Sequence, residues 1–167
     1  MTHIQEPPIV LRKFFFYSIL EWEKLDPDDL GELQAHKSVI KLKKNELVFL
    51  DSERPKGVYI LLKGKVKIFK QMPDGSDQIL YIYTPGEVFG FRPLLSHELN
   101  PTSASALEPS LLEFIPAQVF MNVLDKSHAL TKMILINLSR EFVIWINRLV
   151  LYTQKDVRKR LALVLLI

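Results

Sequence analysis

Between residues 38 and 83 the chain is cut into five short runs of β-branched and aromatic residues, at 38–42, 46–50, 57–62, 65–70 and 78–83. Runs this short, closed off on both sides, are too brief for helices and suit pleated strands. The separators are Lys43-Lys44-Asn45, residues 52–56, Lys63-Gly64, Pro73-Asp74-Gly75-Ser76 and Thr84-Pro85-Gly86. Asp74-Gly75 is a hairpin signal, and Pro85-Gly86 predicts a type II turn, whose third position needs a positive φ. Strands separated by turns every 8–12 residues or so define a small sandwich or barrel.

The flanks read differently. Residues 27–34, introduced by Asp26-Pro27 and carrying Asp28 and Asp29, predict a short helix with Pro and carboxylates in its first turn. Residues 87–105 look irregular, and 107–115 reads as one more strand, interrupted by Pro109. From Pro116 the period becomes helical: a short helix over 116–124, then a long one begun by Asp125 or Ser127. In the long helix Leu135, Leu138, Phe142, Trp145, Leu149 and Tyr152 are spaced 3, 4, 3, 4, 3, which is a heptad seam. A second stripe, Met133, Ile136, Val143, Ile146 and Val150, lies beside it. One apolar face is expected to pack on the barrel and the other to meet a second copy of the helix in a homodimer. Asp156 is expected to cap a further helix from Val157, with Arg158-Lys159-Arg160 in its first turns. The apolar run 161–167 has no closing Gly, Asn or Pro, so the polypeptide is expected to continue.

Composition removes whole classes of function. With 167 residues, 48% of them hydrophobic, the chain can bury one core but not two ordinary ones. The absence of cysteine excludes disulfides, iron–sulfur clusters, thiolate zinc sites and a cysteine nucleophile. His3, His36, His97 and His128 are scattered and predict no metal site. No catalytic residues assemble: Glu87, Glu98, Glu108 and Glu113 have no nucleophile or metal cluster beside them and read as surface or turn residues. The apolar run 14–20 lacks a cleavage signal, and the stretch 129–151 contains Lys132, Arg140, Glu141 and Arg148, so no membrane partner is expected and the cytoplasm is the default compartment. Residues 1–125 hold 14 basic and 17 acidic residues, whereas 126–167 hold 8 and 2. A basic tail on a mildly acidic body suits an acidic partner such as nucleic acid.

The stretch Gly57-Val58-Tyr59-Ile60-Leu61-Leu62-Lys63-Gly64-Lys65-Val66-Lys67-Ile68, then Asp74-Gly75 before Ile79-Leu80, then Pro85-Gly86-Glu87-Val88-Phe89-Gly90, resembles the cyclic-nucleotide-binding barrel of the bacterial Crp/Fnr transcription regulators. The resemblance covers residues 20–160 and implies an α+β chain: a double-stranded β-helix (jelly-roll) barrel with short flanking helices and a long C-terminal dimerisation helix. It divides the chain into an effector-sensing barrel with N-terminal helices at 1–125, a dimerisation helix at 126–154, and at 155–167 the start of a DNA-binding domain cut short. Partners are then a second copy, a small effector of unknown identity, and DNA only through a helix-turn-helix that these residues do not supply. A cyclic-nucleotide-type regulatory or protein-interaction domain without DNA binding is the alternative.

The resemblance also locates an effector pocket, at Phe89, Gly90, Phe91, Arg92, Thr102 and Ser103. Cyclic-nucleotide binders of the family follow Phe-Gly with a Glu for the ribose hydroxyl and carry Arg-Ser-Ala for the cyclic phosphate. Here Phe91 stands in place of that Glu and Thr102-Ser103-Ala104 in place of Arg-Ser-Ala. Without the guanidinium nothing makes the charge-assisted bond to the phosphate, so cyclic AMP is not expected as a cofactor. Arg92 taking over the phosphate, Phe91 lining a pocket for a less polar effector, and Phe91 simply filling core are all open, with core filling preferred. Gly90 is expected to let the backbone approach a ligand or to start a short helix.

Overall fold

The computed structural model describes residues 19–153. Among them eight strands run in chain order as β1 (Ser38–Leu42), β2 (Leu47–Phe49), β3 (Gly57–Lys63), β4 (Val66–Gln71), β5 (Asp77–Tyr83), β6 (Val88–Phe89), β7 (Ser103–Ala106) and β8 (Ser110–Pro116). They pair antiparallel into two four-stranded sheets, ordered β1-β8-β3-β6 and β2-β7-β4-β5. Consecutive strands mostly lie in opposite sheets, as in a jelly roll. The inward residues Tyr59, Leu61, Val66, Tyr83, Phe89, Ala104 and Leu112 form the buried core, with Val48, Phe49, Ile68 and Phe114 packed against it. Each large apolar side chain removed from water here contributes roughly 1.5–3 kcal/mol.

The expected turns form. At the β4–β5 hairpin the Gly75 amide donates to the Met72 carbonyl (2.9 Å), and the Asp74 carboxylate accepts from the Ser76 amide and hydroxyl (2.9 and 2.6 Å). The Glu87 amide donates to the Thr84 carbonyl across Pro85-Gly86, with Gly86 at φ +95°.

The segment 87–105 is not irregular: it contains β6, a six-residue helix α2 (Phe91–Ser96) and the start of β7. Two residues of strand and six of helix are too few to set a hydrophobic period. β7 reads Ser-Ala-Ser-Ala, poor in strand formers, and is extended because β2 and β4 both pair with it. Nor is 107–115 one strand. Leu107-Glu108-Pro109 connects β7 to β8, its Leu107 amide donating to the Lys65 carbonyl (2.8 Å).

Helix α1 (Pro27–Ala35) and helix α3 (Ala117–Lys126) pack together beside the barrel, α3 against β3 and β8. Leu33, Phe120, Val123 and Leu130 are buried there, and Lys126 bridges to Glu32 (2.5 Å). Ser127 separates α3 from α4 (His128–Thr153) and its hydroxyl accepts from the Leu130 amide (3.3 Å), capping the long helix.

The chain forms two compact units, one of Ser18–Met133 and one that includes α4 from Ile134 onward. In the second unit the buried stripe is Ile134, Asn137, Glu141 and Ile144, which differs from both apolar stripes expected from the sequence. Leu135, Phe142, Trp145 and Leu149 of the heptad seam are exposed, at 59, 67, 46 and 63%, and Leu138 is half-buried. The second stripe is exposed as well, at Ile136, Val143 and Ile146. Asn137 and Glu141 occupy the inside instead; neither is without a partner, which is the condition for burying polar groups. The side chains of Val150 and Tyr152, and the helix expected from Val157, lie outside the described residues.

Candidate functional site

The turn at Pro85-Gly86 delivers the chain into β6, and Gly90 redirects it into α2. Gly90 has φ +88°, and a Cβ there would sit 2.8 Å from the Gly57 carbonyl oxygen and 2.9 Å from the Tyr59 ring. The glycine therefore serves both the left-handed backbone and the close approach of β6 to β3. It starts a short helix, one of the two roles expected of it.

Glu87 is not a surface residue. It is 1% exposed, and its carboxylate accepts from the Tyr81 hydroxyl (2.6 Å), the Thr84 amide (2.7 Å) and the Thr84 hydroxyl (3.0 Å). Three donors on one carboxylate offset its desolvation and lock the turn to β5.

The predicted pocket residues fall into two groups. Phe89, Gly90, Phe91 and Arg92 form one continuous group, in which Phe89 stacks on the Tyr83 ring (centroids 4.6 Å apart) and Arg92 Nη1 donates to the Tyr83 hydroxyl (3.4 Å). Phe91 is fully buried, with the Arg92 guanidinium 4.7 Å from its ring centroid, so its aromatic surface is already covered. Thr102 and Ser103 belong to a second group at the entry to β7. Thr102 is half-buried, and the buried Ser103 hydroxyl accepts from the Asp51 amide (3.0 Å). Asn100, also buried, donates through Nδ2 to the Leu50 carbonyl (3.2 Å), while Lys70 bridges Asp51 (2.7 Å) and the Pro101 carbonyl (3.0 Å). Lys70 beside Asp51 holds that carboxyl below the usual carboxylate range. The hydroxyl that aligns with a family ligand contact thus fastens the β2–β3 loop instead.

Inside the barrel an aromatic column runs Tyr83, Phe89, Tyr59, Phe114, with successive centroids 4.6, 5.4 and 5.1 Å apart and Phe49 against Tyr59 and Phe89. Burial, aided by Glu53, pushes the Tyr59 hydroxyl up to about 12. These surroundings favour flat apolar groups and penalise a bare charge. Sequence reasoning does not single out Tyr59, Tyr83 or Glu87 as site residues. The alternation that puts Tyr81 and Tyr83 on one face of β5 is the available signal for the tyrosines, and no sequence pattern marks Glu87 as buried.

An antiparallel jelly roll with helices on its flanks and a glycine-started helical cassette defines a regulatory effector-barrel class. Residues 39–127 match the cyclic nucleotide-binding domain family, and the chain belongs to it. Crp/Fnr-type regulators are among its relatives. The chain is 25% identical over 135 residues to the fumarate and nitrate reduction regulatory protein of Vibrio cholerae, covering 81% of this chain and 53% of that one. It is 29% identical over 69 residues to the CRP-like cAMP-activated global transcriptional regulator of Mycobacterium tuberculosis, covering 41% of this chain and 31% of that one. Among solved structures it is similar to the sensor domain of the transcriptional regulator DNR from Pseudomonas aeruginosa, with TM-score 0.67 and 25% identity over 81% of this chain and 88% of that chain. The chain therefore spans about half or less of the length of these two curated relatives. Among the described residues no helix is long and apolar enough to cross a membrane.

Proposed function

We propose that the chain is the effector-sensing and dimerisation module of a Crp/Fnr-type transcription regulator, working in the cytoplasm without enzymatic activity. In this reading residues 1–125 sense, 126–154 dimerise, and 155–167 lead into a helix-turn-helix outside these residues that reads DNA. A change in the barrel, through a ligand or partner at Phe89, Gly90, Phe91, Arg92, Thr102 and Ser103, is transmitted to DNA through the paired helices. Cyclic AMP is not the effector. Phe91 and Thr102-Ser103-Ala104 replace the residues the family uses for ribose and phosphate, the Phe91 ring is buried, and Ser103 is engaged.

The observation that carries the reading is the exposed apolar arc of α4, formed by Leu135, Phe142, Trp145, Ile146 and Leu149 on the helix that follows α3. A contiguous arc of large apolar side chains in water is the signature of an interface, and 3-4 spacing fits a parallel partner helix. Phe142→Asp combined with Leu149→Asp is expected to convert a dimer into a monomer in sedimentation velocity while the circular dichroism of the barrel is kept. An unchanged dimer would remove the helix from the interface.

A further inference from the structure

The strand pairing gathers lysines at one end of the barrel. Lys41 on β1 and Lys63 on β3 both pair with Leu111 of β8, so they lie level across sheet β1-β8-β3-β6, two strands or about 10 Å apart. Immediately beyond them, Lys43 and Lys44 occupy the β1–β2 turn and Lys65 the β3–β4 turn. These two turns are tied together through β7: the Asn45 amide donates to the Ala106 carbonyl (2.7 Å), and the next amide, of Leu107, to the Lys65 carbonyl (2.8 Å). All five lysines are exposed, and among the described residues none of them is in an ion pair. The carboxylates at this end are Glu46, which accepts from the Lys43 amide (2.6 Å), and Glu108; Glu87 is buried and directed to Tyr81 and Thr84. By contrast, Lys24, Lys37, Lys67, Lys70 and Lys126 each have a carboxylate partner.

We infer that this lysine end of the barrel is a docking surface for the phosphate backbone of a nucleic acid duplex. Clustered like charges repel one another and raise the local concentration of anions, so an anionic partner relieves the repulsion. Flexible ammonium groups in turns, with neither an arginine fork nor an aromatic anchor among them, suit phosphates, which give affinity without sequence information. A protein partner fits less well, since lysine is depleted from protein interfaces and their anchors are Trp, Tyr and Arg. The contact is made by the barrel itself and does not require the reading of DNA proposed for a domain outside these residues.

The test is fluorescence anisotropy of a labelled random-sequence duplex with the 167-residue chain, titrated from low to physiological salt. Weak binding that fades with salt is expected. Lys43→Glu, Lys44→Glu and Lys63→Glu together should lower affinity at low salt at least tenfold and flatten the log–log salt slope by about 3, at roughly 0.9 for each phosphate no longer neutralised. These are exposed turn and strand-end positions, and unchanged thermal unfolding of the triple variant shows that the weaker binding is not unfolding. Binding unchanged in that variant, or abolished only in Arg158→Ala/Lys159→Ala/Arg160→Ala, would overturn the assignment. Polyglutamate competing as strongly as the duplex would also overturn it, in favour of an acidic protein surface.

Discussion

Phe89 and Phe142 are the same residue in opposite circumstances: the first is 1% exposed in the barrel's aromatic column, the second 67% exposed on α4. The barrel buries its aromatic column within one chain, since the two sheets close over those rings from both sides, and the apolar residues it leaves exposed, such as Val39, Leu47 and Ile79, lie on its outer strands. α4 does so only in part: the arc it buries mixes Ile134 and Ile144 with Asn137 and Glu141, while Leu135, Phe142, Trp145 and Leu149 face outward. A core that is complete needs no partner, whereas a helix with its apolar side out is stable in water only when something covers it. The contrast separates the part of the molecule that holds the fold from the part that, in the proposed reading, meets a second chain.

The largest expected effect tests that contrast directly. Phe89→Ala removes the ring between Tyr83 and Tyr59 and should cost about 3–5 kcal/mol in urea unfolding, the usual range for emptying an aromatic core position. Phe142→Ala, measured at concentrations where the chain is monomeric, should stay within about 0.5 kcal/mol of the parent. Equal losses at the two positions would break the comparison, since they would place Phe142 in a core of its own.

A smaller effect probes how the barrel tolerates a buried carboxylate. Tyr81→Phe deletes the hydroxyl donor to Glu87 and leaves two Thr84 donors in place. The expected cost is about 1.5–3 kcal/mol, as for a hydrogen bond to a charged group, read as a lower melting temperature. Tyr81→Phe with Glu87→Gln should lose less than the sum of the two single changes, because Tyr81→Phe deletes and Glu87→Gln weakens the same contact. Full additivity would show that the Tyr81 hydroxyl acts elsewhere.

The sequence revealed the elements whose side chains announce themselves. Residues 57–63 and 77–83 are dense in Val, Ile, Leu and Tyr, and their turns carry Asp-Gly and Pro-Gly, so strands, hairpin and a small sandwich or barrel were readable, while the jelly roll followed only from the family resemblance. It concealed elements whose form is imposed from outside. β7 is a strand only because two neighbours pair with it, and α2 is too short to show a helical period. Glu87, Asn137 and Glu141 were concealed for a shared reason: hydropathy assigns polar residues to water, and only the placement of their partners reverses that. Within the candidate site the resemblance pointed to the segment Phe89 to Arg92, while the attachment of Ser103 to Asp51 depends on a contact 52 residues apart in sequence, beyond the reach of any local pattern.

The smallest expected effect is no effect, and it sharpens the comparison from the barrel's side. If the barrel interior is completed by its own rings, cyclic AMP has little to gain there. Its phosphate keeps a negative charge at physiological pH, and desolvating that charge without a cation costs several kcal/mol. A ligand at 100 times its dissociation constant adds about 2.7 kcal/mol of stability, which a thermal scan detects readily. Millimolar cyclic AMP should therefore leave the melting temperature where it was. Restoring the family's carboxylate by Phe91→Glu alone should lower it, because a fully buried ring is replaced by a smaller side chain whose charge must be desolvated. Adding Thr102→Arg supplies the missing cation, and only that double variant should acquire a cyclic AMP-dependent rise. A saturable rise in the parent chain, abolished by Arg92→Ala, would show instead that Arg92 exchanges the Tyr83 hydroxyl for a phosphate and that the aromatic barrel opens to a charged ligand.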